Sequence, residues 1–210
     1  MTIRFHYLCS DPVLAPWRAQ MEKLCSKTAN WIVERMPLSE VDVVLHRNPY
    51  FVIPETGIGG YAPTGNVVQI YLDPNNENFA SCFSMELAAT LVHELHHCMR
   101  WRGPGYGKTL REALITEGLA QNFEAEYRGA PPFYAVALRE DQLKEMRCKA
   151  EHDLDNDSYI HADWFFGSEG RRIPRHTGYS LGYEIVNEYL RTCKMSAAQL
   201  WAESAKAFKI

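Results

Sequence analysis

His93-Glu94-Leu95-His96-His97 places two histidines four residues apart, with Glu94 directly after the first. On a helix, residues at i and i+4 lie on one face a turn apart, so both imidazoles of this H-E-x-x-H can reach one ion. Nineteen residues separate His97 from Glu117, which stands in Thr116-Glu117-Gly118-Leu119-Ala120. Two histidines and a glutamate are the ligand set of a catalytic zinc ion (Zn2+) whose fourth position stays open for water. Zinc so held lowers the pKa of its water to about 7. Glu94 would be turned about 100° from His93 around the helix, toward the open position. There its carboxylate can take the water's proton as general base and later deliver it to a leaving amine. The pattern points to zinc-dependent hydrolysis of peptide bonds.

Other pairings stay open. His93 with His96, at i and i+3, could also share an ion, but that leaves Glu94 no better placed. His96 is expected to pack beside the ligands. Glu112 and Glu124 rival Glu117 on the same predicted helix, at other spacings from His97. The bland possibility is a group of core or capping histidines.

These residues need elements to position them. Thr2 to Leu8, Val41 to His46 and Val67 to Leu72 are rich in β-branched and aromatic residues and read as strands. Ala15 to Arg35 reads as a helix ended by Pro37. Asn48 to Gly65 is dense in proline and glycine and reads as loop, its Gly57 to Gly65 part a mobile flap. Ser81 or Ser84 is the expected N-cap of the long helix bearing the histidines, which runs to about Trp101. Gly103-Pro104-Gly105-Tyr106-Gly107 breaks the chain and could be a second mobile element. A helix from about Thr109 to Tyr127 then carries Glu117 and stops at Gly129-Ala130-Pro131-Pro132. Further helices are expected over Tyr134 to Glu151, Ser158 to Phe166, Gly178 to Cys193 and Ala197 to Phe208. Strands first and helices afterwards argue an α+β fold with a small sheet and a mostly helical C-terminal half.

Composition narrows the function classes. The chain has 210 residues, 46% hydrophobic and 23% charged, with a net charge of -4. That is one ordinary domain, or two tightly packed lobes, with no basic bias toward nucleic acid. No apolar run is long enough for a membrane span. The opening residues lack a charged and apolar leader, so no signal peptide is expected. Cys9, Cys25, Cys82, Cys98, Cys148 and Cys193 are scattered and read as reduced thiols of a cytoplasmic protein.

With these residues in view, the chain resembles the gluzincin metallopeptidases, the thermolysin-like group. More closely, it resembles a bacterial family of predicted zinc-dependent proteases, the YjaZ-like proteins. The likeness rests on four stretches: Val67 to Pro74, Leu91 to His97, Ile115 to Ala120 and Gly178 to Val186. It implies one zincin-like domain over 1–210, with Val67 to Leu72 as an edge strand beside the active-site helix, able to pair with an extended peptide substrate. It also implies an oxyanion donor, for which Tyr179 is the first candidate, with Tyr183, His176 and Arg175 behind it. One departure stands out. The thermolysin pattern has an acidic residue four after the ligand glutamate, where this chain has Gln121, whose amide oxygen could instead accept from a ligand histidine.

Three further features carry less. Asp153, Asp155 and Asp157 fail as a calcium loop, because Ser158 and Trp164 stand where glycine and glutamate are needed. That stretch reads as a solvated turn flanked by surface histidines, His152 and His161. Trp164-Phe165-Phe166 reads as core packing or a pocket wall. Two other functions remain: a metal- or peptide-binding module without turnover, and a zinc hydrolase of a non-peptide substrate.

Overall fold

The structure is a computed structural model and describes residues 3–210; Thr2, expected to begin the first strand, lies outside them. The chain divides into two compact units, Met1–Arg102 and Gly103–Ile210. Its class is α+β, as the order of predicted strands and helices implies.

The first unit holds a four-stranded mixed sheet of Ile3–Tyr7 (β1), Val41–Arg47 (β2), Ile58–Thr64 (β3) and Val67–Leu72 (β4). The strand order is β1-β2-β4-β3. β2 runs parallel to β1 (Ile3 opposite Val41) and to β4 (Val43 opposite Val68). β3 is antiparallel to β4, with Gly60 opposite Ile70. Alternation gives β2 one buried face, formed by Val41, Val43 and Leu45. β4 buries Val68, Ile70 and Leu72 and also Tyr71, as suits an inner strand.

That order corrects two expectations. Val67–Leu72 is not an edge strand, because β2 and β3 flank it. The edge beside the histidine helix is β3, inside the segment expected to be a loop and flap. Glycine and proline gave that segment its loop character. An edge strand tolerates Pro63, whose missing N–H leaves no central ladder incomplete. A register shift between Tyr61 and Thr64 takes up the irregularity.

Two helices belong to this unit. Arg18–Val33 (α1) follows a short 3₁₀ turn and buries Met21, Cys25, Thr28 and Ile32, a single stripe. Phe79–Arg102 (α2) starts before Ser81. The turn into it is built by Asn76, whose side chain accepts from the Asn78 N–H at 2.9 Å and whose carbonyl accepts from the Phe79 N–H at 3.2 Å. Trp17 packs edge-on against Phe79, and the Gln20 amide donates to Ser84 at 2.9 Å. Every residue from 91 to 100 is buried.

The second unit is helical: Leu110–Arg128 (α3), Glu140–Ala150 (α4), His161–Phe166 (α5) and Thr177–Cys193 (α6). Thr109 and Glu112 form a reciprocal capping box at the start of α3, and Gly129, at φ 77°, closes it. α3 and α6 touch backbone to backbone. A Cβ on Gly118 would lie 2.1 Å from the Gly182 carbonyl oxygen, and one on Gly182 would lie 2.3 Å from that of Leu114. Asn122 ties the same pair, donating to the Gly118 and Tyr183 carbonyls at 2.8 and 3.1 Å.

Three predicted helices are shorter than expected. Ser158 to Phe166 is helical only over His161–Phe166. Tyr134 to Glu151 becomes a 3₁₀ turn at Phe133–Val136 and then α4. Ala197 to Phe208 is mostly turns, with a 3₁₀ helix only at Ala205–Ala207. There the Ser204 N–H goes to the Glu203 side chain, and the Ser204 hydroxyl accepts from Lys206. Such local side-chain bonds compete with the helical ladder. Trp164 and Phe165 are core, as expected, whereas Phe166 is exposed.

Candidate metal centre

In the first unit, helical spacing alone aligns His93 and His97. Their Nε2 atoms lie 3.0 Å apart, with the rings nearly perpendicular at 81°. His93, Glu94 and His97 are 7%, 7% and 5% exposed, and His96 is fully buried. His96 thus belongs to the packing around the pair, as expected.

β3 crosses Glu94 closely. A Cβ on Gly60 would lie 2.5 Å from Glu94 Cγ and 2.7 Å from its Oε1. Only glycine allows the strand this approach. α2 grips the hairpin in turn. Trp101 Nε1 donates to the Ala62 carbonyl at 2.8 Å, Cys98 Sγ to that of Thr64 at 3.5 Å, and Arg102 Nε to that of Gly65 at 2.8 Å. The expected flap is therefore a strand fastened to the histidine helix. Tyr71 of β4 lies near enough to feel Glu94: burial, then the Glu94 charge, then Tyr61 raise its phenol pKa.

In the second unit, Glu117 is 5% exposed on α3. The Tyr106 hydroxyl donates to its Oε1 at 2.6 Å. Burial first, then the Glu117 charge, push the Tyr106 phenol well above its ordinary pKa. The Thr116 hydroxyl donates to the Tyr106 carbonyl at 3.0 Å, so the glycine-rich turn is anchored rather than loose. The Tyr159 hydroxyl lies 3.0 Å from His161 Nδ1, and His161 stacks on Phe165 at 4.2 Å. Burial lowers the pKa of His161, while Glu117 pulls the other way. His161 is thus part of this neighbourhood and not the surface residue expected. Sequence reading missed Tyr106; its one signal was an aromatic residue between two glycines.

The rival glutamates are engaged elsewhere. Glu112 accepts from the Lys108 and Thr109 backbone N–H groups at 2.8 and 3.1 Å. Glu124 accepts from the Tyr134 hydroxyl and lies 3.6 Å from Arg128. Tyr179 packs its ring against Phe165 at 4.9 Å, Tyr134 at 5.2 Å and His176 at 6.0 Å. Its charge state is felt at Tyr106 and Tyr134. Among the other oxyanion candidates, His176 joins this aromatic group at a left-handed φ of 69°. The charged group that bears on Tyr183 is instead Arg191. Gln121, fully buried, turns its amide nitrogen to the Glu117 and Tyr179 carbonyls at 3.3 and 2.9 Å, bracing α3 on α6. The acidic turn is held by arginines: Arg171 meets Asp153 at 2.5 Å, and Arg111 meets both Asp155 oxygens at 2.8 and 3.1 Å.

Among the described residues, His93, His97 and Glu117, all buried, could together hold a metal ion. Two imidazoles and a carboxylate are the donors zinc takes, so the residues fit that ion.

The chain belongs to the family described as predicted Zn-dependent protease (DUF2268), whose model matches residues 21–209. It is also similar to the uncharacterized protein YjaZ of Bacillus subtilis (strain 168), at 27% identity over 130 residues. That match covers 58% of this chain and 49% of the relative, so the chain spans about half the length of the curated protein it matches. No solved structure matches. No helix among the described residues is long and apolar enough to cross a membrane.

Proposed function

We propose that this chain is a zinc-dependent peptidase of gluzincin type, a single functional domain in which His93, His97 and Glu117 hold the ion. The observation that carries the reading is this buried ligand group, with Glu94 next to His93 in the sequence. Bound zinc would supply a Lewis acid and a water of pKa about 7. Glu94 accepts a proton from the attacking water and returns it to the leaving amine. Its low exposure keeps bulk water from competing for that proton. Tyr179 donates to the developing oxyanion. The substrate is a peptide or protein segment that adds as a strand to β3, whose Gly60 lies over Glu94. The six cysteine thiols suit a reducing, cytoplasmic setting. The family description supports a protease.

The test is metal content by mass spectrometry, on protein purified without added metal or a histidine tag, for wild type and His97→Ala. The expected result is equimolar zinc in wild type and its loss in the variant. Wild type that neither contains nor takes up zinc would end this reading and favour a binding module without turnover. Zinc bound, but hydrolysis confined to small esters or amides, would favour a hydrolase of another substrate.

A further inference from the structure

We infer that Tyr106 is a positioning residue for the carboxylate ligand: its hydroxyl engages Oε1 of Glu117 and holds the carboxylate in one orientation, leaving the other oxygen to the ion. This rests on the reading of Glu117 as a zinc ligand. A phenol is a donor at neutral pH, and an ionised carboxylate offers two oxygens with about four acceptor sites. At 2.6 Å the Tyr106–Glu117 contact has the length of a charge-assisted bond. Engaging one oxygen restricts the rotation of the carboxylate and disfavours binding of the ion through both oxygens.

The turn that delivers this hydroxyl is built for the purpose. Thr116, the residue before Glu117, holds the Tyr106 carbonyl at 3.0 Å, so adjacent residues of α3 grip both ends of the tyrosine. Gly107 sits at φ +105°, and a Cβ there would lie 2.2 Å from Glu112 Cβ. Glu112 in turn accepts from the backbone of Lys108 and Thr109. The ring of His161 meets that of Tyr106 edge-on at 5.9 Å. The same unit contains an internal comparison, because Tyr134 makes the equivalent bond to Glu124. Removing either hydroxyl is the same chemical deletion beside a buried glutamate. Only one of the two glutamates is assigned to the ion.

The experiment measures zinc affinity by competition with a chromophoric chelator, and the visible spectrum of the cobalt(II)-loaded protein. Tyr106→Phe should weaken zinc binding by about 10- to 100-fold and shift the cobalt bands. Tyr134→Phe should change neither. In a Glu117→Ala background, Tyr106→Phe should cause no additional loss, because its route to the ion is gone. Should Tyr106→Phe fail to fold, Thr116→Val keeps the hydroxyl but frees its anchor, and a smaller loss in the same direction is expected. A folded Tyr106→Phe protein that binds zinc as tightly as wild type would overturn the inference. So would equal losses in both backgrounds. Zinc bound through His93, His97 and Glu117 with Tyr106→Phe unaffected removes this inference alone. No zinc in wild type removes the proposed function and this inference with it.

Discussion

The two units fix their reactive side chains by different means. In Met1–Arg102, His93, Glu94 and His97 take their mutual placement from the pitch of one helix, and the sheet adds burial. In Gly103–Ile210, the Glu117 carboxylate is engaged by the hydroxyl of Tyr106, eleven positions away on a glycine turn. The α3–α6 contact beneath it needs glycine on both sides. A histidine pair at helical spacing can thus be written locally, whereas the partner of a lone carboxylate has to come from another segment of the chain. Substitutions in the first unit should therefore change chemistry and spare folding, and those beneath Glu117 should do the reverse.

Glu94→Gln tests that contrast most strongly. Peptide hydrolysis should fall by about 10²- to 10⁴-fold while zinc stays bound; retained hydrolysis would remove Glu94 from its role. Gly60→Ala comes next, because its methyl would displace the Glu94 side chain. We expect an activity loss of about 100-fold with zinc content unchanged, and normal turnover would show that β3 does not set the position of Glu94. Gly118→Ala should instead act on folding, lowering stability by about 1–3 kcal/mol through overpacking against α6. A thermal melt with an unchanged midpoint would break the comparison.

The smallest effect is a pH dependence at His161. Its pKa in the folded chain lies below 6.5, chiefly from burial. The fold therefore favours the neutral ring, and stability is fully present above pH 6.5. It declines as the pH falls below that value and through the lower folded pKa. His161→Phe should flatten this decline in melting temperature against pH; an identical profile would place the acid sensitivity elsewhere.

The same contrast governs what could be read from the sequence. His93, Glu94 and His97 were legible because their relation is a helical period, and α3 because Thr109, Glu112 and Gly129 mark its ends. β1, β2 and β4 were legible from β-branched runs. β3 was hidden because a strand that crosses α2 at Glu94 needs glycines, which read as loop. Its recognition would have required knowing which helix lay beneath. Tyr106 was hidden for a related reason: nothing within a few residues of it signals a partner on α3. The loss of the last expected helix lies in Glu203 and Ser204, whose side chains capture backbone N–H groups.

Cys98 follows His97 directly, and a thiolate there would be a stronger zinc donor than a carboxylate and a target for oxidants. Its sulfur instead donates to the Thr64 and Val67 carbonyls, 3.5 and 3.8 Å away. Burial, reinforced by the Glu94 charge, pushes its pKa up to about 12. Burial thereby keeps the sulfur protonated, while the hydrogen bonds that clasp the β3–β4 hairpin to α2 hold it inward. A thiol so held is withdrawn from the set of donors an ion at His93 and His97 would meet, and from oxidants.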